Sequence, residues 1–323
     1  MANAWKRERS TPLLCSWRSL LLIPLGISFY FLFTFFSSAS SSNPNPISNP
    51  KTFVFEASSP ILPFNCSACP QATPVFASAV EGLAHPFLYS LADLGNLPDK
   101  PHKNIARMLK GKPFRRPDIS LTIQDYLASK GAAVDDGIVV DVGANVGMAT
   151  FAAAAMGFRV VAFEPVFENL QRLCDGLFLN RAWDRVSLFA AAASDRIGNI
   201  TFHKLVGRLD NSAVSATGAR LAFKSNQEIA IEVPSIPLDE VIPDSVKVLL
   251  IKIDVQGWEY HVLRGASKLL SRKKGEAPYL IYEEDERLLQ ASNSSIDEIR
   301  SFLSDRGYHK CEKHETDAHC TKD

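Results

Sequence analysis

The sequence predicts an α/β fold with a doubly wound, mostly parallel sheet. In its middle and C-terminal parts, short apolar segments rich in β-branched residues alternate with segments whose apolar residues recur at helical spacing. The short segments are almost continuously apolar, which is typical of strands covered on both faces. A glycine-containing turn follows the first of them, and no internal repeat interrupts the order. In such a sheet a ligand is expected at the carboxyl ends of the strands.

Composition limits the class of partner. The chain has 323 residues, of which 46% are hydrophobic, so one sizeable packed core with additional segments is expected. Lys and Arg together number 35, as do Asp and Glu, which gives a formal net charge of zero. We therefore expect no nucleic acid partner, because nothing in the total charge favours a polyanion.

The N-terminus has the composition of a signal anchor. The basic tail at 1–19 precedes an uncharged apolar run at 20–36, which is at the short end of what crosses a bilayer as a helix. We expect one membrane span in the Golgi apparatus or endoplasmic reticulum, with the tail cytosolic and the remainder lumenal. A signal peptide cleaved near Ser37–Ser40 is the alternative, and it places the remainder in the same compartment. Residues 37–101, rich in Pro and Ser, are interpreted as a stem and lead-in.

Cysteine positions fit an oxidising lumen. Cys66 and Cys69 follow the stem, while Cys311 and Cys320 lie near the C-terminus, and these four allow three disulfide pairings. Cys174 lies in a helical pattern and is predicted to be a buried thiol.

Two further features of the same regions bear on the compartment. A zinc site formed by Cys66, Cys69, His314 and His319 is the alternative to disulfides, although its spacing differs from that of zinc fingers. Asn65, Asn199 and Asn293 each begin an N-x-[ST] sequence that a lumenal chain can have glycosylated.

The main domain, 102–323, begins with a helix. Ile119, Ile123 and Leu127 recur at helical spacing before Gly131, which predicts a helix over Ile119–Lys130. The segments that follow alternate between buried-type strands and helices. They are a strand at Ile138–Val142, a helix at Met148–Met156, a strand at Val160–Phe163, a helix at Phe167–Leu179, strands at Val186–Ala191 and Val246–Ile253, a helix at Trp258–Leu270 and a strand at Tyr279–Tyr282.

Two more elements complete the domain. Ser295 and Glu298 form a capping box, which starts a helix that stops at Gly307. Between the third and fourth strands, two alternating segments predict an inserted hairpin at about 199–233, which we interpret as a candidate substrate lid.

The turn after the first strand favours a nucleoside ligand without phosphates. Gly143 and Gly147 give the pattern G-x-x-x-G, and Asn145 stands where a dinucleotide-binding turn has its middle glycine. That glycine lets the backbone approach a pyrophosphate, so its absence argues against NAD or FAD. S-adenosylmethionine is a ligand of the favoured kind, and its carboxylate suits free amide groups at a helix start. Asp141 could meet the ligand's ammonium group or orient the loop.

Two further acids are predicted to bind this cofactor. Glu164 ends the second strand about twenty residues after the turn, where an acidic side chain accepts ribose hydroxyls. Asp195 follows the third strand, where it could accept from the adenine amino group. Helix capping or surface exposure is the alternative for both residues.

Four segments together resemble the FkbM-type methyltransferase family. They are VVDVGANVG, VVAFEP, AAASD and IKIDVQGWEYHVLRGA, within about 136–303. The resemblance implies a class I methyltransferase fold, with a seven-stranded sheet whose last strand is antiparallel, and methyl transfer usually to oxygen. Where members of this family commonly have an acidic residue, this chain has Gln256, which puts any role of that position in charge or metal handling in doubt.

Three residues are candidates for catalysis. Asp254, at the end of the fourth strand, is expected to act as a base or to orient the acceptor, with Glu283 and His203 as second choices. Bracing of the turn before Gly257, a salt bridge and solvent exposure are the respective alternatives. No metal is predicted.

The sequence therefore favours an S-adenosylmethionine-dependent O-methyltransferase. Its expected acceptor is a hydroxyl or carboxyl of a glycan or of a small secreted metabolite. A catalytically inactive nucleoside-binding or interaction protein of the same fold is the main alternative, and an oxidoreductase is opposed by Asn145.

Overall fold

The computed structural model describes residues 61–71, 75, 77–91, 95–96, 99–101, 106–107, 109–111, 118–131, 133, 136–206, 209, 212–215, 217–219 and 227–323. The predicted basic tail at 1–19, the predicted span at 20–36 and the first part of the predicted stem lie outside these residues. Within the described ranges, no helix combines the length and apolar character that crossing a bilayer requires.

Strands and helices are numbered in chain order. The strands are β1 (Ala77–Val80), β2 (Phe87–Ser90), β3 (Gly95–Asn96), β4 (Lys100–Pro101), β5 (Ile138–Val142), β6 (Arg159–Phe163), β7 (Val186–Phe189), β8 (Ala192–Ala193), β9 (Gly198–Leu205), β10 (Glu228–Ile236), β11 (Val248–Ile253), β12 (Tyr279–Glu283), β13 (Lys310–His314) and β14 (Asp317–Thr321). The helices are α1 (Asp118–Ser129), α2 (Met148–Ala155), α3 (Phe167–Leu179), α4 (Leu238–Val241), α5 (Glu259–Arg264), α6 (Ser267–Leu270), α7 (Glu286–Ala291) and α8 (Ile296–Ser304).

A seven-stranded sheet forms the centre, in the order β13-β14-β12-β11-β5-β6-β7. Strands β7, β6, β5, β11 and β12 are parallel, and β14 is antiparallel to both of its neighbours. This confirms the predicted doubly wound sheet with an antiparallel last strand. The predicted strands of the parallel part end within two residues of those observed.

Both faces of the sheet are buried. On β5, Ile138, Val140 and Val142 belong to one apolar cluster, while Val139 belongs to the cluster on the opposite face. Side chains alternate between faces along a strand, so a strand covered on both sides must be apolar at almost every position. The continuous apolar segments of the sequence have this physical cause.

Residues 77–91 differ from their interpretation as part of a stem and lead-in. Strands β1 and β2 pair antiparallel, and Val80, Phe87 and Tyr89 are buried in the same cluster as Phe151 of α2. The amide of Asn180, just after α3, donates to the carbonyl of Leu88 and accepts from its N–H. The apolar stretches in this region are short, but they pack against helices that are distant in the sequence.

The predicted helix over Trp258–Leu270 is divided into α5 and α6. The division lies at Gly265, where an added Cβ would come within 1.9 Å of the backbone oxygen of Ser194. The chain following β8 therefore approaches the helix too closely for any side chain at this position. The Ser295 N-cap of α8 is confirmed, since the Ser295 hydroxyl accepts from the N–H of Glu298 at 3.2 Å.

Two disulfides are present among the described cysteines. Cys66 is bonded to Cys174, and Cys311 to Cys320. The prediction that Cys174 is a buried thiol was wrong, because α3 turns this residue toward the segment that carries Cys66. The pairing also removes one ligand of the alternative zinc site, since Cys66 is no longer a thiolate. Cys69 has a free thiol.

Candidate functional site

The principal cleft lies at the carboxyl ends of β5, β6 and β11. Its empty space amounts to about 590 Å³, open solvent at its mouth included. Strand order reverses beside β5, because the chain proceeds to β6 and β7 on one side and later to β11 and β12 on the other. Parallel α/β sheets bind their ligands at such a switch point. We call this space the main cleft.

Gly143 forms the floor of the main cleft. Its φ of 76° is left-handed, and a Cβ there would lie 1.9 Å from the backbone oxygen of Asp254. The backbones that follow β5 and β11 are therefore in direct contact here. Asn145, also lining the cleft, has a φ of 51°, a conformation that asparagine adopts more readily than most residues.

Asp141 is placed below the turn and not in the cleft. It is fully buried, and its Oδ2 accepts from the N–H of Thr150 at 3.0 Å and from the Thr150 hydroxyl at 2.6 Å. Its Oδ1 lies 3.4 Å from Nζ of Lys252. Of the two roles left open for Asp141, this arrangement supports orientation of the loop and of the first turn of α2.

Lys252 was not selected from the sequence as a site residue. It is the register partner of Asp141 on the neighbouring strand, and its Nζ donates to the carbonyl of Gly143 at 2.8 Å. Burial alone would lower the pKa of Lys252, but the carboxylates of Asp141 and Asp254 raise it above its usual value. The signal that could have identified it is a lone lysine inside an otherwise apolar strand.

Glu164 lines the main cleft at the end of β6. Its carboxylate accepts from the N–H groups of Asn145 at 2.8 Å and Val166 at 2.9 Å, and from the Asn169 amide at 3.2 Å. Burial raises the pKa of Glu164 to about 7, against the opposing effect of these donors and of Lys252. A carboxylate offers about four acceptor positions, so about one remains for a ligand hydroxyl.

Asn169 supplies a second acceptor beside Glu164. It lines the same cleft and is 1% exposed, and its Oδ1 has no hydrogen-bond partner among the described residues. A buried amide oxygen without a partner costs about 1–3 kcal/mol. A bound ligand that donates to it would remove that cost.

Asp254 lies where the main cleft meets a second cleft. Both spaces are lined by Gly143, Asn145 and Asp254, and the second continues toward Lys252 and Asp317. The Asp254 side chain is 47% exposed. Of the three predicted catalytic residues, Asp254 is the one that lines these clefts.

Glu283 is joined to Asp254 through Gln256. The Gln256 amide nitrogen donates to Oδ1 of Asp254 at 2.8 Å and to Oε2 of Glu283 at 2.9 Å. Burial, followed by the charges of Asp254, Glu259 and others, raises the pKa of Glu283 to about 9. Glu283 is therefore protonated at neutral pH, and it does not line either cleft.

The inserted hairpin forms one wall of the main cleft. Strands β9 and β10 pair antiparallel over 198–205 and 228–236, and β10 continues alongside β8. Phe202 and Val214 of this insertion line the cleft, and Phe202 packs in an apolar cluster with Val166 and Ala192.

His203 is not brought to the predicted catalytic carboxylates. It follows Phe202 on β9, so its side chain leaves the opposite face of the strand. Its Nδ1 lies 2.7 Å from Oε1 of Glu228 on the paired strand, and it is not among the residues that line the main cleft. The catalytic role of His203 stays a prediction, and this position gives it no place among the residues that line the main cleft.

Asp195 is likewise engaged elsewhere. Its carboxylate lies 3.3 Å from Nδ1 of His261 and 3.4 Å from Arg264, and it does not line the main cleft. The expected contact between Asp195 and an adenine amino group is not supported by this position. Ala192 and Trp258 line the corresponding part of the cleft instead.

Comparison with known proteins identifies the family. Residues 141–310, more than half of the chain, match the Methyltransferase FkbM domain. No curated protein matches the chain.

Several solved structures are similar to the chain at low identity. EvdMO1 is 14% identical over 65% of this chain and 41% of its own length, with a TM-score of 0.33, so the chain spans less than half of EvdMO1. An rRNA methylase from Streptococcus thermophilus is 14% identical over 64% of this chain and 97% of its own, with a TM-score of 0.38. The T. thermophilus 16S rRNA N2 G1207 methyltransferase in complex with AdoMet and guanosine is 12% identical over 77% of this chain and 50% of its own, with a TM-score of 0.38.

Proposed function

The chain belongs to the FkbM methyltransferase family, and from this premise we propose that it uses S-adenosylmethionine to methylate an oxygen of its acceptor. The observation that carries the proposal is the position of Glu164 and Asn169, two buried oxygen acceptors in the cleft above the Gly143 turn. A ribose offers two adjacent hydroxyl donors, which match such a pair.

The main cleft fits this cofactor in three respects. Glu164 and Asn169 would hold the ribose hydroxyls, and the apolar surface of Val166, Ala192 and Trp258 would hold the adenine. The amino-acid portion would extend over Gly143 toward the second cleft.

The charge of the residues that line the main cleft argues against the alternative function, an oxidoreductase that uses NAD or FAD. No Lys or Arg is among the described residues that line the main cleft, and a pyrophosphate would bring negative charge against Glu164 and Asp254. The cofactor would therefore be a nucleoside without phosphates.

Asp254 would act on the acceptor. When bound, S-adenosylmethionine supplies a methyl group on a positively charged sulfur. Asp254, at the junction of the two clefts, would orient an acceptor hydroxyl and accept its proton as the C–O bond forms and the C–S bond breaks. Gln256 would hold Asp254 in place, and the protonated Glu283 would limit the negative charge around it.

The acceptor that we propose is a glycan or a small secreted metabolite, methylated in the lumen of the secretory pathway by a membrane-anchored enzyme. Two disulfides support an oxidising compartment, because they persist in the secretory lumen and are rare in the cytosol. The apolar run at 20–36 supports the anchor.

Cofactor binding is the first test. Binding of S-adenosylmethionine and S-adenosylhomocysteine to the full-length chain, purified in mild detergent, would be measured by calorimetry for the wild type, Glu164→Gln and Asn169→Ala. The matched control is Glu312→Gln, whose side chain is 82% exposed. We expect both cleft variants to weaken binding by about ten- to a hundredfold, with little change in the control.

The outcomes separate the candidate functions. Saturable binding followed by transfer of labelled methyl to a glycan or small-molecule hydroxyl would establish the proposal. Binding without transfer to any acceptor would favour an inactive nucleoside-binding protein. Transfer to RNA or protein alone would overturn the proposed acceptor, and a folded chain that binds neither compound would overturn the methyltransferase activity.

A further inference from the structure

A second concave surface adjoins the main cleft at Trp258. Its empty space amounts to about 1000 Å³, open solvent included, and it shares Trp258 and Val214 with the main cleft, so the two spaces adjoin. One wall comes from β9 and the other from the end of α7. The hydroxyl of Ser215, in the segment after β9, donates to the carbonyl of Ala291 at 2.7 Å, which ties that segment to the end of α7. We call this surface the outer groove.

The polar lining of the outer groove is almost uncharged. It presents hydroxyl, amide and imidazole groups, with one arginine and no carboxylate among the described residues. These groups donate and accept hydrogen bonds but would not compensate several ligand charges. The groove therefore suits a neutral ligand rich in hydroxyl groups better than it suits a polyanion.

His261 presents an oriented imidazole ring in this groove. The carboxylate of Asp195 lies 3.3 Å from its Nδ1. Burial opposes ionisation of Asp195, but His261, Arg264 and Arg196 lower its pKa below the usual value, so the acid is charged and fixes the ring proton on Nδ1. The other nitrogen, Nε2, is left for a ligand, as an acceptor in the neutral ring or a donor in the protonated ring. The ring stacks on Trp258 with centroids 3.7 Å apart, which restricts its rotation.

Ser292 presents a second polar group to the outer groove. It lines the outer groove and is 7% exposed, and its Oγ makes no hydrogen bond to any described residue. A buried hydroxyl without a partner is unfavourable. A ligand hydroxyl in the groove would satisfy it. This observation is independent of the Asp195–His261 pair.

We propose that the outer groove is a saccharide subsite, which binds an uncharged sugar of the acceptor through His261 and Ser292. The inference rests on the proposed function and extends it, because it places the extended part of a glycan acceptor beside the cofactor. Trp258 lines both spaces, so the subsite and the main cleft meet at this side chain.

Two sequons stand at the rim of this subsite. Asn199 and Asn293 are exposed, line the outer groove and begin N-x-[ST] sequences. A glycan attached to either residue would occupy the space that we assign to the acceptor. The test therefore uses protein made in a host that adds no N-glycans.

The test measures binding of neutral oligosaccharides to the full-length chain. The probes are xylotetraose, cellotetraose, mannotetraose and β-galactotetraose, with tetragalacturonate as the charged comparison and a single-stranded RNA oligonucleotide as the alternative polymer. The variants are His261→Asn, which keeps a donor toward Asp195 and loses Nε2, and Ser292→Ala. Their matched controls are His85→Asn and Ser301→Ala, at exposed positions.

We expect at least one neutral probe to bind, and each groove variant to weaken that binding by about three- to tenfold. The controls should not change it, and affinity for S-adenosylhomocysteine should stay constant in all four variants. Three results would overturn the subsite: no binding by any neutral probe, wild-type sugar affinity in both groove variants, or tighter binding of RNA or tetragalacturonate than of the neutral probes. If the chain binds sugar, the groove variants lose that binding, and the chain has no affinity for S-adenosylhomocysteine, then the subsite stands and the methyltransferase activity is rejected.

Discussion

The side-chain amide of Gln256 donates to Oε2 of Glu283 across 2.9 Å, from the loop after one strand to the end of the next. The same nitrogen donates to Asp254. One amide donor thus joins two neighbouring acidic side chains. Gln256 adopts a φ of 55° to do this, a left-handed conformation that is uncommon for glutamine.

Replacing this donor with an acid should destabilise the fold. Gln256→Glu removes this donor and puts a third acidic side chain beside Asp254 and Glu283, and we expect a loss of about 1–3 kcal/mol in the free energy of unfolding at pH 7. Acidification to pH 5 or addition of Mn²⁺ or Ca²⁺ should restore part of it. Urea unfolding measures the effect. Gln290→Glu is the matched control, because Gln290 also donates to a glutamate but is exposed; an equal loss in both variants would contradict this account.

Glu283 should make stability depend on pH. Its pKa is raised from 4.5 to about 9, mainly by burial and then by neighbouring carboxylates. Between these values the folded chain holds a proton that the unfolded chain has released. Raising the pH through this window therefore lowers stability, by at most about 1.4 kcal/mol per pH unit for one proton.

The variant Glu283→Gln should flatten this slope and gain stability relative to the wild type at pH 8–9. Urea unfolding between pH 5 and 9 is the measurement, with Glu312→Gln as the exposed control. Parallel curves for wild type and Glu283→Gln would show that Glu283 is ionised in the folded state.

The two disulfides should differ in their contribution to stability. Cys66–Cys174 closes 108 residues and Cys311–Cys320 closes 9, so chain entropy gives about 4.8 and about 2.6 kcal/mol respectively. We expect Cys174→Ser to lower the melting temperature more than Cys320→Ser. Non-reducing peptide mapping checks the pairing directly, and a peptide linking Cys66 to Cys69 would refute it.

Removing the charge of only one member of the buried pair Lys252 and Asp141 should strongly destabilise the fold. Lys252→Met leaves Asp141 charged and unpaired, which should cost about 3–5 kcal/mol. The double variant Asp141→Asn, Lys252→Met should recover part of that loss, since neither charge stays buried without its partner. Additive losses in a double-mutant cycle would show that the two residues do not act as a pair.

Gly143 should tolerate no side chain. Gly82 is the matched control, because both glycines have a φ of 76°, but a Cβ at Gly82 would meet nothing within 4 Å. Gly82→Ala should cost about 1–2 kcal/mol for the left-handed conformation alone. Gly143→Ala should cost more and abolish S-adenosylhomocysteine binding, because the strand ends must separate. Equal melting temperatures for the two variants would contradict this prediction, because the close contact at Gly143 would then add nothing to the cost of the left-handed conformation.

Local pattern was sufficient for the elements and for the turn. The apolar strand at Ile138–Val142, the helix at Phe167–Leu179 and the turn with Gly143 follow from residues that are near one another in the chain. Burial on both faces requires continuous apolar strands, and a close backbone contact requires glycine. The sequence alone also placed Glu164 next to that turn, because the β-α-β order is regular.

Tertiary structure decided which side chains meet. His203 is directed to Glu228, Asp195 to His261 and Cys174 to Cys66, in each case across at least 25 residues of chain. Residue spacing along one strand or helix does not specify a partner on another. The direction of a side chain depends on the face of the strand it leaves, and its partner depends on which distant segment packs there. For that reason the cleft could be anticipated from the sequence, whereas its outer groove, its buried lysine and its disulfides required the folded chain.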